Sequence, residues 1–267
     1  MTLAIEIAQG ALERLCLSFM NFNRNDMVIA PLENWQHQAV VIKQKRELAQ
    51  QRQVATTAGS IHWGPPLPAT TSLAKRLMDI AGAIVGLGIV AILFLPIAIA
   101  IQLDHPGPLF FSQIRYGHRG RPFRIWKFRS MVPNADSQKN TVKNEAQGLI
   151  FKNKLDPRIT RGGRFLRRTS IDEFPQFFNV LKGEMSLVGT RPPVLSEVVQ
   201  YEPHHWQRLA VKPGITGQWQ TSGRSSITNF EQIVELDLLY QAEWSVMHDV
   251  KILFRTVSVV FGSKDAC

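Results

Sequence analysis

Cysteine is almost missing from this 267-residue chain: only Cys16 and Cys267 occur. Two thiols build neither a disulfide framework nor a cysteine-based zinc site, and reduced thiols in a cytoplasmic compartment are the simple reading. The first twenty residues are not expected to be a secretory signal. They carry Glu6, Glu13 and Arg14 without a basic start, an apolar core or a small-residue cleavage pattern. No internal repeat is present. Acidic residues are scarce, 21 Asp and Glu against 31 Lys and Arg, which leaves a net charge of +10. That balance calls for an anionic partner: nucleic acid, a membrane surface or a phosphorylated substrate. Hydrophobic residues make up 45% of the chain and charged ones 19%, so wholesale disorder is excluded. The length allows one or two domains.

What is present is unevenly distributed. Residues 1–58 are polar and weakly patterned, and the Gln-rich and basic stretch 36–53 suits a helix. Residues 58–72 hold Gly59, Gly64, Pro65, Pro66, Pro68 and a Thr-Thr-Ser run, which reads as a linker. Then, after Lys75, Arg76 and Asp79, residues 80–101 contain no charge at all. At ~1.5 Å per residue such a helix is ~33 Å long, enough to cross a bilayer core. A soluble core helix is the bland alternative, but helices that apolar on every side are uncommon there.

The flanks bear on topology. Eight basic and six acidic residues precede Ile80, and Arg115, Arg119, Arg121, Arg124, Lys127 and Arg129 follow, with Asp104 the only acid up to Val132. Two basic flanks prefer the same, cytoplasmic side, so a re-entrant helix bent at Pro96 is expected rather than a crossing. Gly86, Gly88 and Ala91 fit a dinucleotide-binding fingerprint. They lie inside the apolar run, however, without the preceding strand that such a fingerprint requires. Gly82 and Gly86 form a G-x-x-x-G pair, which serves close helix packing or is chance spacing.

The polar chemistry lies beyond residue 104. Short strands are expected at residues 109–111 and 123–131, separated by a basic turn over residues 115–121, with Arg124, Lys127 and Arg129 able to reach anions. Arg158, Arg161, Arg164, Arg167 and Arg168 fall within eleven residues without an acid, a density suited to phosphate. Ser170-Ile171-Asp172-Glu173 follows. Ser170 and Glu173 have the spacing of a capping box opening a helix over residues 172–181 that ends at Gly183. The same position also suits catalysis. A carboxylate at a helix N-terminus beside Arg167 and Arg168 stays ionised, and it could attack phosphorus while a neighbour holds Mg²⁺. Arg191 sits after an expected strand at 185–189 and before two prolines, a fixed position for gripping phosphate. Helical spacing resumes near Asn229. Toward the C-terminus Val250, Leu253, Phe254, Val257 and Val260 recur with Lys251 and Arg255 between them, a pattern that fits either core packing or a helix lying on a membrane.

Several of these segments occur in a familiar order: KRLMD, HPGPLFFSQIRYGHRGRPFRIWKFRSM, DPRITRGGRFLRRTSIDEFPQFFNVLKGEMSLVGTRP and KPGITGQWQTSGRS. From about Lys75 to Val260 the chain resembles the bacterial sugar transferases, monotopic phosphoglycosyl transferases acting on polyprenyl phosphate in the priming of exopolysaccharides. Thr190 stands where that family has proline, and Leu95 precedes Pro96 where it has serine.

The resemblance implies an α/β (α+β) fold: a re-entrant membrane helix over residues 73–104, a small cytoplasmic catalytic domain over 105–267 with interfacial amphipathic helices, and an unassigned extension and linker over 1–72. It implies transfer of a sugar phosphate from a nucleotide diphosphosugar, with UDP-glucose or UDP-galactose as the expected donor, to polyprenyl (undecaprenyl) phosphate. Asp172 would be the nucleophile that carries the phosphosugar, and Glu173 the Mg²⁺ ligand. Arg167, Arg191 and Lys127 would bind phosphate, while Lys75, Arg76 and Pro96 would seat the helix in the inner membrane. The implied partners are a nucleotide sugar, polyprenyl phosphate and the membrane, with a homodimer admitted and no nucleic acid. Two rivals remain: an inactive membrane scaffold, against which the intact Asp172-Glu173 pair argues, and a membrane-tethered nucleic-acid-binding protein, for which no recognition motif is present.

Overall fold

A computed structural model describes residues 32–262 except 154 and 224–226. Cys16, Cys267, the signal-peptide question and the Arg224-Ser225 end of the last matching segment lie outside the described residues. The chain divides into a segment ending at Glu47 and a larger unit that starts at Leu48.

Helix α1 runs over Leu32–Ser60. It contains the stretch expected from its Gln, Lys, Arg and Ala content, all good helix formers. Val54 and Ala58, one turn apart, bury against Tyr116, Trp206 and Leu209. The 58–72 stretch is therefore ordered and packed rather than a loose tether. Trp63 donates from its indole to the Ala58 carbonyl at 3.1 Å, and Ala69, in the single turn Pro68–Thr71, belongs to the main core.

Helix α2 spans Leu73–Asp104, with the Ser72 hydroxyl accepting from the Lys75 amide at its start. Thirty-two residues make a rod of ~48 Å. Pro96 lies inside it, and the helix is assigned without interruption. Its inward stripe is Lys75, Asp79, Ala83, Gly86, Ile97 and Ile101. Elsewhere it exposes Leu77, Ile84, Val85, Ile92, Leu95, Ile99 and Leu103. Only 11% of its most apolar window is buried, whereas a soluble core helix is mostly buried, so the helix is long, apolar and exposed enough to enter a membrane. Gly82 and Gly86 face the rest of the unit: a Cβ on Gly82 would meet Leu187 at 2.5 Å, and one on Gly86 would meet the Phe177 ring at 2.4 Å. This glycine pair serves packing within the chain. Gly88, the other member of the apparent nucleotide fingerprint, has nothing within 4 Å of such a Cβ.

Strands β1 (Phe110–Tyr116) and β2 (Pro122–Phe128) form an antiparallel hairpin, with Phe111 opposite Lys127 and Arg115 opposite Phe123. β1 is longer than the sequence suggested. Residues 113–116 continue the strand, and the basic turn is confined to a few residues around His118–Gly120, where Arg119 and Gly120 take positive φ. Helix α3 (Arg161–Arg168) follows, then a turn of 3-10 helix (Ile171–Glu173), and then helix α4 (Gln176–Lys182), which stops as expected at Gly183 with φ 84°. The expected continuous 172–181 helix is thus two pieces, with Pro175 at the junction. Strands β3 (Ser186–Val188) and β4 (Gly214–Thr216) pair in parallel. Helices α5 (Phe230–Ala242), capped by the Asn229 side chain, and α6 (Val246–Gly262) complete a mixed helix and sheet architecture.

The core joins Ala83 of α2 to Phe123, Ile125, Val180, Met185, Val188, Tyr240 and Ile252. At the base of α2 a polar cluster is buried with it. Lys75 Nζ lies 2.5 Å from Asp249 Oδ2, and it also donates to the Val188 carbonyl and the Tyr240 hydroxyl. Asp249 further accepts from Tyr240 and Trp244. Removing the cation would leave a buried carboxylate uncompensated.

Candidate active site

The site forms where β2, α3 and the 171–173 turn meet. Gly163, in the first turn of α3, lets that helix approach β2 closely: a Cβ there would fall 2.0 Å from the Ser130 carbonyl oxygen. Thr160 caps the helix by accepting from the Gly163 amide at 3.0 Å. This approach carries Arg167, in the last turn, to Ser130, where its Nε donates to the hydroxyl at 2.9 Å. Ser170 then takes a left-handed conformation, φ 56°, and turns the chain sharply.

Ser170 does not cap the following turn through its side chain, so the capping-box reading fails. Glu173 reaches sideways instead: Lys127 Nζ on β2 donates to its Oε1 at 2.7 Å. Asp172, one residue earlier, is 4% exposed. The structure thus groups Lys127, Asp172 and Glu173, with Arg167 on the adjoining helix end. Arg191 comes from the far side of β3, in the segment after Thr190, where its Nη1 lies 3.3 Å from Glu197 Oε1.

The arginine cluster does not act as one phosphate patch. Arg158 is buried and forks onto Asp156, Nε to Oδ1 at 2.9 Å and Nη2 to Oδ2 at 2.6 Å, with Nη1 donating to the Ala135 carbonyl. It is a structural clip. Burial alone would raise the Asp156 carboxyl, but the bonds from Arg158 outweigh it and hold it below the ordinary aspartate value. Arg161, Arg164 and Arg168 are exposed beside an exposed Phe165.

Lys75 and Arg76 point into the fold. Lys75 is 4% exposed, and Arg76 donates to the carbonyls of Val180 and Leu181 at 2.8 Å each, closing the end of α4. Pro96 lines a mostly apolar groove of about 320 Å³ between α2 and α3, together with Leu93, Ile97, Phe165, Leu166 and Ile171. Ile171, which lines the groove, is the residue before Asp172 in the chain. Arg129, which donates to the carbonyls of His105 and Pro106, gives it a cationic wall.

Sequence reading passed over Arg115 as one cation of a basic turn. Its place on β1 puts its Nη1 2.9 Å from the Pro192 carbonyl, beside Arg191. Burial pushes its guanidinium down to about 10, and the neighbouring Arg191 adds to that. The strand alternation through Phe111 and Gln113 could have signalled it.

Two carboxylates on successive residues are hard oxygen donors of the kind Mg²⁺ takes, with substrate phosphate oxygens and water completing its shell. The ionic bond from Lys127 marks Glu173 as a place where positive charge is favoured. A second group, His204, His205 and Glu231, also brings three ligand atoms within 4.8 Å of one another. There His205 Nδ1 accepts from the Glu202 amide, so Nε2 carries the proton it shares with Glu231 at 2.8 Å. That group is a hydrogen-bonded strap.

The family model described as bacterial sugar transferase matches residues 70–263. The chain belongs to the bacterial sugar transferase family. It is similar to the galactosyl transferase CpsE of Streptococcus agalactiae serotype III, 54% identical over 193 residues, covering 70% of this chain and 42% of that protein. The UDP-glucose:undecaprenyl-phosphate glucose-1-phosphate transferase of Escherichia coli K12 is 42% identical over 208 residues, 75% of this chain and 43% of its own. The uncharacterized sugar transferase EpsL of Bacillus subtilis is 40% identical over 190 residues, 71% of this chain and 88% of its own. The chain thus spans about two-fifths of the first two relatives. As a member of the sugar transferase family it has its Asp172-Glu173 pair inside the matched region, with Lys127, Arg167 and Arg191.

Proposed function

We propose that this sugar transferase moves a hexose 1-phosphate from a UDP-sugar to polyprenyl phosphate and so primes a lipid-linked glycan. The observation that carries the reading is the buried Asp172, set on a tight turn between the Arg167 helix end and the Lys127–Glu173 pair. In the first step an Asp172 carboxylate oxygen attacks the β-phosphorus. The Asp–O–P bond forms as the bond to the α-phosphate oxygen breaks, and UMP leaves with the electron pair. In the second step a polyprenyl phosphate oxygen attacks the same phosphorus, releasing Asp172 and leaving a polyprenyl diphosphosugar. Catalysis of this kind is chiefly placement and neutralisation of charge, which Arg167, Arg191 and Lys127 supply. Burial of Asp172 keeps water from the reactive acyl phosphate. Glu173, with Asp172 beside it, would hold Mg²⁺, which when bound neutralises diphosphate charge.

The lipid acceptor sets the location. The outward apolar face of α2 suits a bilayer, and the apolar groove, lined in part by the residue before Asp172, suits an isoprenoid chain. On α6 the apolar residues Met247, Phe254 and Val257 face outward while Asp249 and Ile252 face the core, which supports an interfacial helix. Same-side ends for α2 are supported by its two anchors in one unit: Lys75 on Asp249, and Asp104 Oδ2 accepting from the Gly162 amide at 2.8 Å. We read the helix as re-entrant in a bacterial inner membrane, with the catalytic domain in the cytoplasm.

The test uses the full chain in membranes with UDP-glucose and UDP-galactose labelled in the β-phosphate. A labelled phosphosugar should become trapped on the wild-type protein when polyprenyl phosphate is withheld, and not on Asp172→Asn. UMP release at the wild-type rate by Asp172→Asn would overturn the reading.

A further inference from the structure

The site holds a cation that the reaction scheme above leaves unused. Arg115 and Arg191 come from separate elements tied together by backbone. The Tyr116 amide donates to the Pro193 carbonyl at 3.0 Å, Arg115 bridges to Val194, and Arg115 Nη1 donates to the Pro192 carbonyl. The end of β1 therefore moves with the segment that carries Arg191. Arg115 also lies on the same face of the hairpin as Lys127. Arg115 is two residues from Gln113 and Lys127 two from Ile125, and Gln113 stands opposite Ile125 in the register.

Two features of Arg115 call for an anion. Its Nε–H is buried and meets no acceptor among the described residues. Its neighbours include a like charge, Arg191, two carboxylates engaged elsewhere, Glu173 with Lys127 and Glu197 with Arg191 and the Val194 amide, and, as the weakest influence, Asp136. A guanidinium does not escape by losing its proton, so an unused buried donor beside a second guanidinium is costly until an anion arrives. The ligand must offer several oxygens spaced to meet two forks, as a diphosphate does.

We propose that Arg115 is a substrate-binding residue that, with Arg191, grips the diphosphate of the nucleotide sugar. The inference rests on the transferase reading above and adds a residue to it. Held there, Arg115 neutralises charge that grows on the departing monophosphate as its bond to the β-phosphorus breaks.

The experiment compares wild type, Arg115→Gln and Arg115→Lys as full-length protein in detergent. Binding of inorganic diphosphate, UDP and uridine is measured by calorimetry, and UMP release from the UDP-sugar is measured alongside. Arg115→Gln should weaken diphosphate and UDP binding about ten- to hundredfold, the loss of a charge-assisted bond, and leave uridine binding unchanged. Arg115→Lys, which keeps a charge and a donor for the Pro192 carbonyl, should recover part of the loss. Equal weakening for all three ligands, or no weakening for any, would mean that Arg115 only holds the Pro192 segment and would overturn the proposal. Wild-type protein that binds neither diphosphate nor UDP would overturn it too. Wild type that releases no UMP, while Arg115→Gln still loses diphosphate binding selectively, would sink the transferase reading and leave Arg115 as a diphosphate site.

Discussion

Lys127 and Glu173 meet across 46 residues of sequence at 2.7 Å, a strand residue bonded to the residue after the candidate nucleophile. Both side chains are partly open, so the pair adds little to stability, and its value is in placing charge. Lys127→Met should cut kcat/KM for UMP release about ten- to hundredfold, the worth of one charge-assisted bond, with a small change in melting temperature. A fall in melting temperature as large as that of a core substitution, with kcat/KM intact in the surviving protein, would contradict the assignment.

The proposed Mg²⁺ site on the same carboxylates is tested by metal removal. EDTA should stop turnover and Mg²⁺ should restore it. Glu173→Gln should raise the Mg²⁺ concentration needed for half-maximal rate, measured by titration. Unchanged turnover in EDTA would remove Glu173 from metal binding.

The base of α2 should be sensitive to the loss of one charge. Lys75→Met leaves Asp249 buried and uncompensated, a change that costs about 3–5 kcal/mol. Adding Asp249→Leu to it should recover part of the loss, because no unpaired charge then remains. Denaturant unfolding of the single and double variants measures this, and strictly additive losses would count against the pair.

The apolar run contains two glycines with opposite expectations. Gly86→Ala places a methyl group 2.4 Å from the Phe177 ring and should lower the melting temperature. Gly88→Ala enters open space and should be neutral or stabilising by up to about 1 kcal/mol through helix propensity. Equal effects would mean that α2 does not dock through Gly86.

The Arg158–Asp156 clip gives an acid-sensitive contribution. The folded carboxyl titrates below the ordinary 3.8 value, so its stabilisation is complete above that value and is lost as pH falls through the lower folded one. Asp156→Asn should flatten the acid limb of the stability–pH curve and lower stability at neutral pH. An acid limb unchanged in that variant would contradict the clip.

Much of this was legible in the chain because it depends on local rules. The charge-free run marked α2, Gly183 ended α4, and Asn229 opened α5. Asp172, Glu173, Lys127 and Arg167 stood out through residue type and order, and Lys127 and Glu173 do meet. What escaped the sequence depends on long-range contacts. Arg158 looked equivalent to Arg167 until Asp156 claimed it. Lys75 and Arg76 looked like membrane-surface cations, but partners more than a hundred residues away draw them inward. Arg115 looked like part of a turn because the pairing that extends β1 to Tyr116 is made by β2 and by Pro193.

The cluster around Lys75 has a practical consequence. Asp249, Tyr240 and the Val188 carbonyl all find their cation on the first turn of the apolar helix. Cutting that helix away to obtain a shorter, more soluble fragment would take out a keystone of the larger unit, and the remainder should misfold rather than dissolve. Detergent or nanodisc preparations that keep Lys75 are the workable route to the folded protein.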